Sequence, residues 1–87
     1  MPAGKRNLLF LSYMPEFVIN VTEIEELQTV KDLQTLDNIF TRAKRIVNGG
    51  GSTVLIRKHA NGGADKFDEI TTLEDLEKYR QWVYKYL

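Results

Sequence analysis

Two glycine clusters limit what this chain can fold into. Asn48-Gly49-Gly50-Gly51-Ser52 and Asn61-Gly62-Gly63 are places where neither helix nor strand continues, because glycine loses the most backbone freedom on ordering and asparagine accepts turn geometry. The segment between them, with Thr53-Val54-Leu55-Ile56, is long enough only for a strand. Phe67-Asp68-Glu69-Ile70 follows the second cluster, so the pair reads as a hairpin. The first cluster comes after a helical pattern with Lys44 and Arg45 in its last turns, the usual signature of a helix end.

A third break, Met14-Pro15-Glu16, separates Leu8 to Tyr13 from Phe17 to Val21. Proline cannot donate to a ladder, which suits a bend between two strands. Residues 26–33 and 69–76 also echo one another: Glu-Leu-Gln-Thr-Val-Lys-Asp-Leu against Glu-Ile-Thr-Thr-Leu-Glu-Asp-Leu. Thr29 and Thr72 each read as a helix N-cap, with Asp32 and Asp75 closing a weak capping box. Beyond the caps, Val30, Leu33, Leu36, Ile39, Phe40 and Ala43 run parallel to Leu73, Leu76, Tyr79, Trp82, Val83 and Tyr86 at helical spacing.

Each half then reads as strand, turn, strand, capped helix. Strands are expected near residues 7–14, 17–27, 53–59 and 65–70, and helices near 30–47 and 73–87. Residues 23–27 fit either an extension of the second strand or an early helix start. The expected fold is α+β: a two-layer ββαββα domain with a mostly antiparallel four-stranded sheet and two helices on one face. Its halves, 7–48 and 53–87, form either a pseudo-repeat or two capped helices that happen to look alike. Residues 1–6 read as a flexible tail ahead of a single domain spanning 7–87.

With 87 residues, no cysteine and 12 basic against 12 acidic side chains, packing alone must offset chain entropy. The start, Lys5-Arg6-Asn7-Leu8-Leu9-Phe10-Leu11, imitates a signal peptide. Ser12, Pro15 and Glu16 break the run and no small-x-small site follows, so the expectation is a buried strand in a cytoplasmic protein without a membrane span.

Thiol chemistry is excluded by composition. His59, the only histidine, stands at a strand end beside Arg57 and Lys58 and reads as a solvated residue rather than a catalytic base. One histidine, no cysteine and no Asp-x-Asp-x-Asp loop point to no metal site. The 49–52 loop leaves a helix C-terminus, whereas phosphate cradles sit at helix N-termini, so it reads as a flexible connector. No enzyme activity and no cofactor are expected.

Charge is segregated along the chain. From Asn38 to Ala64 there is no acidic residue, while Arg42, Lys44, Arg45, Arg57, Lys58 and His59 all fall there. One reading is a surface for an acidic partner or nucleic acid; the other is internal balance against Asp65, Asp68, Glu69, Glu74, Asp75 and Glu77. A net charge of zero weighs against a dedicated nucleic-acid binder.

The Tyr79-Trp82-Val83-Tyr86 stripe is expected in the core, leaving Tyr84 and Tyr13 as exposed aromatics. The first strand is apolar on both faces, with Leu8 and Phe10 on one and Leu9, Leu11 and Tyr13 on the other, and Val18 continues the second face on its neighbour. A half-covered sheet should alternate, so this face is expected to dock a protein partner or a second copy, giving a homodimer.

The expected function is a non-catalytic protein-binding module, a regulator or inhibitor of a larger partner. In style it resembles the small accessory proteins of phages and mobile elements, although no motif ties it to a family. The alternative is a small nucleic-acid-binding domain using the basic region 42–59.

Overall fold

The computed structural model describes residues 15–87. Its elements are β1 (Glu16–Asn20), α1 (Val21–Val30), α2 (Leu33–Asn48), β2 (Ser52–Lys58), β3 (Ala64–Ile70) and α3 (Leu73–Lys85). The strands form one mixed sheet in the order β1-β2-β3, with β1 parallel to β2 and β2 antiparallel to β3. The α+β class therefore stands, but the four-stranded, mostly antiparallel sheet with two helices does not. Among the described residues there are three strands and three helices. The strand expected at 7–14 lies outside the described residues, and so do Leu9, Leu11 and Tyr13.

The divergence begins at Asn20. Its side-chain oxygen accepts the Thr22 N–H at 3.2 Å, a capping contact that ends β1 and starts a helix. Val21, Ile24 and Leu27 then recur at helical spacing, the first two buried and the third half-buried. The segment that fitted both strand and helix is α1. This also explains the parallel pairing of β1 with β2: parallel neighbours need a long crossover, and α1 with α2 supplies it.

The helix expected to run from Thr29 is broken at Lys31, whose backbone is left-handed (φ 57°). The Lys31 N–H donates to the Gln28 carbonyl and the Asp32 N–H to the Leu27 carbonyl, at 3.2 and 3.0 Å, a Schellman ending. Asp32 then caps α2. Its carboxylate accepts the Thr35 N–H at 3.1 Å and the Thr35 hydroxyl at 2.8 Å, and these bonds, the backbone one foremost, hold its pKa below the ordinary value. Thr29 lies inside α1, its hydroxyl donating to the Glu25 carbonyl at 2.9 Å. Thr72 does cap α3, accepting the Asp75 N–H at 3.1 Å. Over the described residues the first half is thus strand-helix-helix and the second strand-strand-helix, and the shared capped helix of the pseudo-repeat does not form at Thr29.

All three helices pack on one face of the sheet. Ile19, Leu55 and Ile70 from the strands meet Val21 and Ile24 of α1, Leu36, Phe40, Ala43 and Val47 of α2, and Leu76 and Val83 of α3 in one cluster. The first glycine loop is tightly packed at its end rather than a free connector. Gly51 is buried, and a Cβ there would lie 2.8 Å from the Ile46 methyl and press on the Pro15 carbonyl. That carbonyl accepts the Ser52 N–H at 3.1 Å, which aligns β1 with β2. Next in the chain, Thr53 is fully buried, and its hydroxyl has no hydrogen-bond partner among the described residues.

Candidate functional site

The β2–β3 register has one irregularity. Leu55 pairs with Asp68 and Ile56 with Lys66, leaving Phe67 as an extra residue on β3. A bulge of this kind bends its strand and re-aims side chains. Here it brings both Phe67 and Asp68 to the side of the sheet that carries the helices, where they line a groove opposite α3.

α3 is seated by Leu76 and Val83, one heptad apart and both buried. It rests against α2 as well as the sheet, so its buried sector is turned toward Tyr84. That ring packs edge-on against Phe40, centroids 6.0 Å apart, and its hydroxyl donates to Asp37. Burial, reinforced by the Asp37 carboxylate, pushes the Tyr84 phenol up to about 12. The expected core stripe holds for Val83 and for half-buried Tyr79 and is corrected at the rest: Tyr84 packs inward, while Trp82 and Tyr86 are 53% and 59% exposed. Tyr79 and Trp82 lie nearly parallel with centroids 6.4 Å apart, and Trp82 meets Tyr86 at 5.2 Å. An aromatic strip thus runs along α3 from half-buried Tyr79 to exposed Trp82 and Tyr86.

This strip, α1 and the hairpin enclose a groove of about 310 Å³. Its apolar lining is Val21, Ile24, Leu55, Phe67, Tyr79 and Trp82, and its polar margin is Glu25, Gln28, Arg57 and Asp68. The Gln28 amide donates to the Val83 carbonyl at 2.9 Å, satisfying a helix-end acceptor and tying α1 to α3. Arg57 grips Glu25 with both guanidinium nitrogens, at 3.1 and 3.0 Å, and also reaches the Thr22 hydroxyl at 3.3 Å. That hydrogen bonding, with the guanidinium charge behind it, holds the Glu25 carboxyl below its ordinary pKa. Burial pushes the Tyr79 phenol up to about 12, so it is neutral at physiological pH. Among the described residues the Asp68 carboxylate accepts one hydrogen bond, from the Glu69 N–H at 2.8 Å, and takes part in no ion pair.

The six basic residues of the 42–59 region are not gathered into one surface. Arg42, Lys44 and Arg45 stand exposed on α2, with the Arg42 guanidinium 5.8 Å from the centre of the Phe17 ring and Arg45 in the last turn of the helix. Arg57, Lys58 and His59 lie at the far end of β2, a strand that covers roughly 20 Å at 3.3 Å per residue. Two of the six have acidic partners: Arg57 with Glu25, and His59 Nε2 with Asp65 at 2.9 Å. Val18 lies on the sheet face away from the helices and is 48% exposed, while Val54, its register partner, is buried.

A larger hollow of about 670 Å³ lies between α2 and α3, with Asp37, Lys44, Glu77 and Arg80 on its walls. Arg80 is bonded to Glu77 and stacked over Tyr84 at 4.7 Å, and Asp37 is held by Tyr84. Its polar groups are largely engaged with one another, whereas the smaller groove presents unsatisfied aromatic surface. Among the described residues no group of three or more His, Asp or Glu is placed to hold a metal ion, and no helix is long and apolar enough to cross a membrane.

Of the residues that line the groove, sequence reasoning singled out only Arg57 as a site residue and missed Phe67, Asp68, Tyr79 and Trp82 among others. A signal for the first was present: Phe67 and Ile70 are three apart, a spacing that a regular strand places on opposite faces. The chain matches no protein-family model, no curated protein and no solved structure.

Proposed function

We propose that this chain is a non-catalytic protein-binding module that docks its partner in the groove between α3 and the β2–β3 hairpin. The observation that carries this reading is the exposure of Phe67 and Trp82, which line a preformed hollow, and of Tyr86 beside Trp82, each more than half open to solvent. Leaving such side chains in water forgoes about 1.5–3 kcal/mol of burial for each. Aromatic anchors surrounded by polar margins are what protein interfaces bury at their centres. The groove volume is at the lower end of small-molecule pockets and suits one side chain of a docking segment, with the Trp82 and Tyr86 rings extending the contact.

The groove supports this better than the described part of the sheet face away from the helices does. On that face Val18 is the one exposed large apolar side chain among the described residues. A nucleic-acid surface is less favoured, because the basic residues divide between α2 and the end of β2, and Arg57 is committed to Glu25.

Selection of a random peptide library on the immobilised protein tests the proposal. Enriched peptides should bind the unaltered chain and weaken at least tenfold on Trp82→Ala and Phe67→Ala variants whose circular dichroism is native. Failure to enrich any peptide, or enrichment of peptides indifferent to both changes, would refute it.

A further inference from the structure

We infer that the groove is selective for a cation, and that its occupant is an arginine side chain of a basic peptide segment, stacked on Tyr79 and Trp82 and neutralised by Asp68. This rests on the docking reading above and specifies what docks. The first argument is the position of Asp68. It is the register partner of buried Leu55, on the face where Ile19, Leu55 and Ile70 form the core. Asp68 stays exposed at the groove, and among the described residues its carboxylate accepts one hydrogen bond, from its neighbour's N–H.

The second argument is charge. Glu25 and Arg57 close on each other, so among the described residues that line the groove one negative charge, that of Asp68, has no ion-pair partner. A neutral side chain seated here would shield this carboxylate from water without replacing the lost hydration, which is unfavourable. A guanidinium removes that penalty and can meet the carboxylate with two hydrogen bonds.

The third argument is the ring surface. Aromatic faces attract cations, and this protein places its own cations over Phe17, Tyr84 and Tyr86. Among the described residues none lies over Tyr79, Trp82 or Phe67, the rings that line the groove. Three aromatic side chains and one carboxylate that is unpaired among the described residues therefore converge on a hollow whose lining cation, Arg57, is held by Glu25.

Capped Gly-Arg-Gly peptide, with counterparts carrying citrulline or leucine in place of arginine, provides the test. Citrulline keeps the shape of arginine and removes the charge. Trp82 is the only tryptophan, so its fluorescence reports occupancy directly. The arginine peptide should bind at least tenfold more tightly than the citrulline peptide at low salt. That advantage should shrink as salt is added and disappear in an Asp68→Asn variant with native circular dichroism. If citrulline or leucine peptides saturate the Trp82 signal as well as arginine, or Asp68→Asn retains the preference, cation selectivity is refuted while the docking reading survives. If no peptide perturbs Trp82 in the folded protein, both fall.

Discussion

Truncating Trp82 to alanine should leave this protein folded, although tryptophan is the largest side chain in the helix that closes its core. Removing a fully buried aromatic costs about 3–5 kcal/mol. Trp82 is 53% exposed, so roughly half of that transfer is at stake, about 1.5–2.5 kcal/mol, and alanine returns about 0.5 kcal/mol through its helix propensity. The expected net loss is about 1–2 kcal/mol. A chain of this length has a total stability of about 4–13 kcal/mol, so the variant remains native. Val83, the next residue, is fully buried. Its truncation to alanine deletes two methyl groups and leaves a cavity, costing about 2–3 kcal/mol. The smaller deletion should therefore do more damage. Urea denaturation followed by circular dichroism compares the two, and a soluble quencher applied to the native protein reports directly on the indole. A Trp82→Ala loss larger than that of Val83→Ala, with a native indole protected from quenching, would place Trp82 in the core and remove the basis for the groove.

Thr72→Ala should cost about 1 kcal/mol by removing the α3 cap, whereas Thr29→Ala, inside α1, should be neutral or stabilising by up to about 0.5 kcal/mol; equal losses in paired denaturation curves would contradict the broken helix. Thr53→Val should raise stability by about 1–2 kcal/mol, because it replaces a buried hydroxyl that lacks a partner with a methyl of the same shape, and a lower urea midpoint would show that the hydroxyl is satisfied. Burial holds the Tyr79 and Tyr84 phenols near 12 in the fold, above their ordinary 10.0. The folded state binds these protons more tightly, so the stabilisation is complete below pH 10 and is lost as pH rises toward 12. Phenolate absorbance should accordingly rise together with unfolding, and ionisation of both phenols near pH 10 in a folded protein would contradict the packing.

The features that were legible in the sequence are those whose physics is local. The hairpin closes around Asn61-Gly62-Gly63 because a strand cannot continue through it, and α2 ends at Asn48 before the glycines. Thr72 caps α3 because its hydroxyl needs only the N–H of Asp75, three residues on. Leu36, Phe40 and Ala43 share the buried face of α2 because their spacing puts them there whatever they pack against. Other outcomes depended on contacts between distant residues. Residues 21–27 carry patterns compatible with strand and helix, and the choice fell to burial of Val21 and Ile24 in a cluster with Leu55 and Val83. The two halves share a capping motif, yet Lys31 turns left-handed and Asp32 takes over the cap, so similar local chemistry builds different elements. The amphipathic pattern of α3 allows a sector of neighbouring positions to face inward. Packing against Phe40 chose Tyr84 and left Trp82 outside, and the bulge at Phe67 set the strand opposite it. The groove is the product of those two choices, and neither is contained in any short stretch of residues: a helix's rotation and a strand's register are decided by the surfaces they meet.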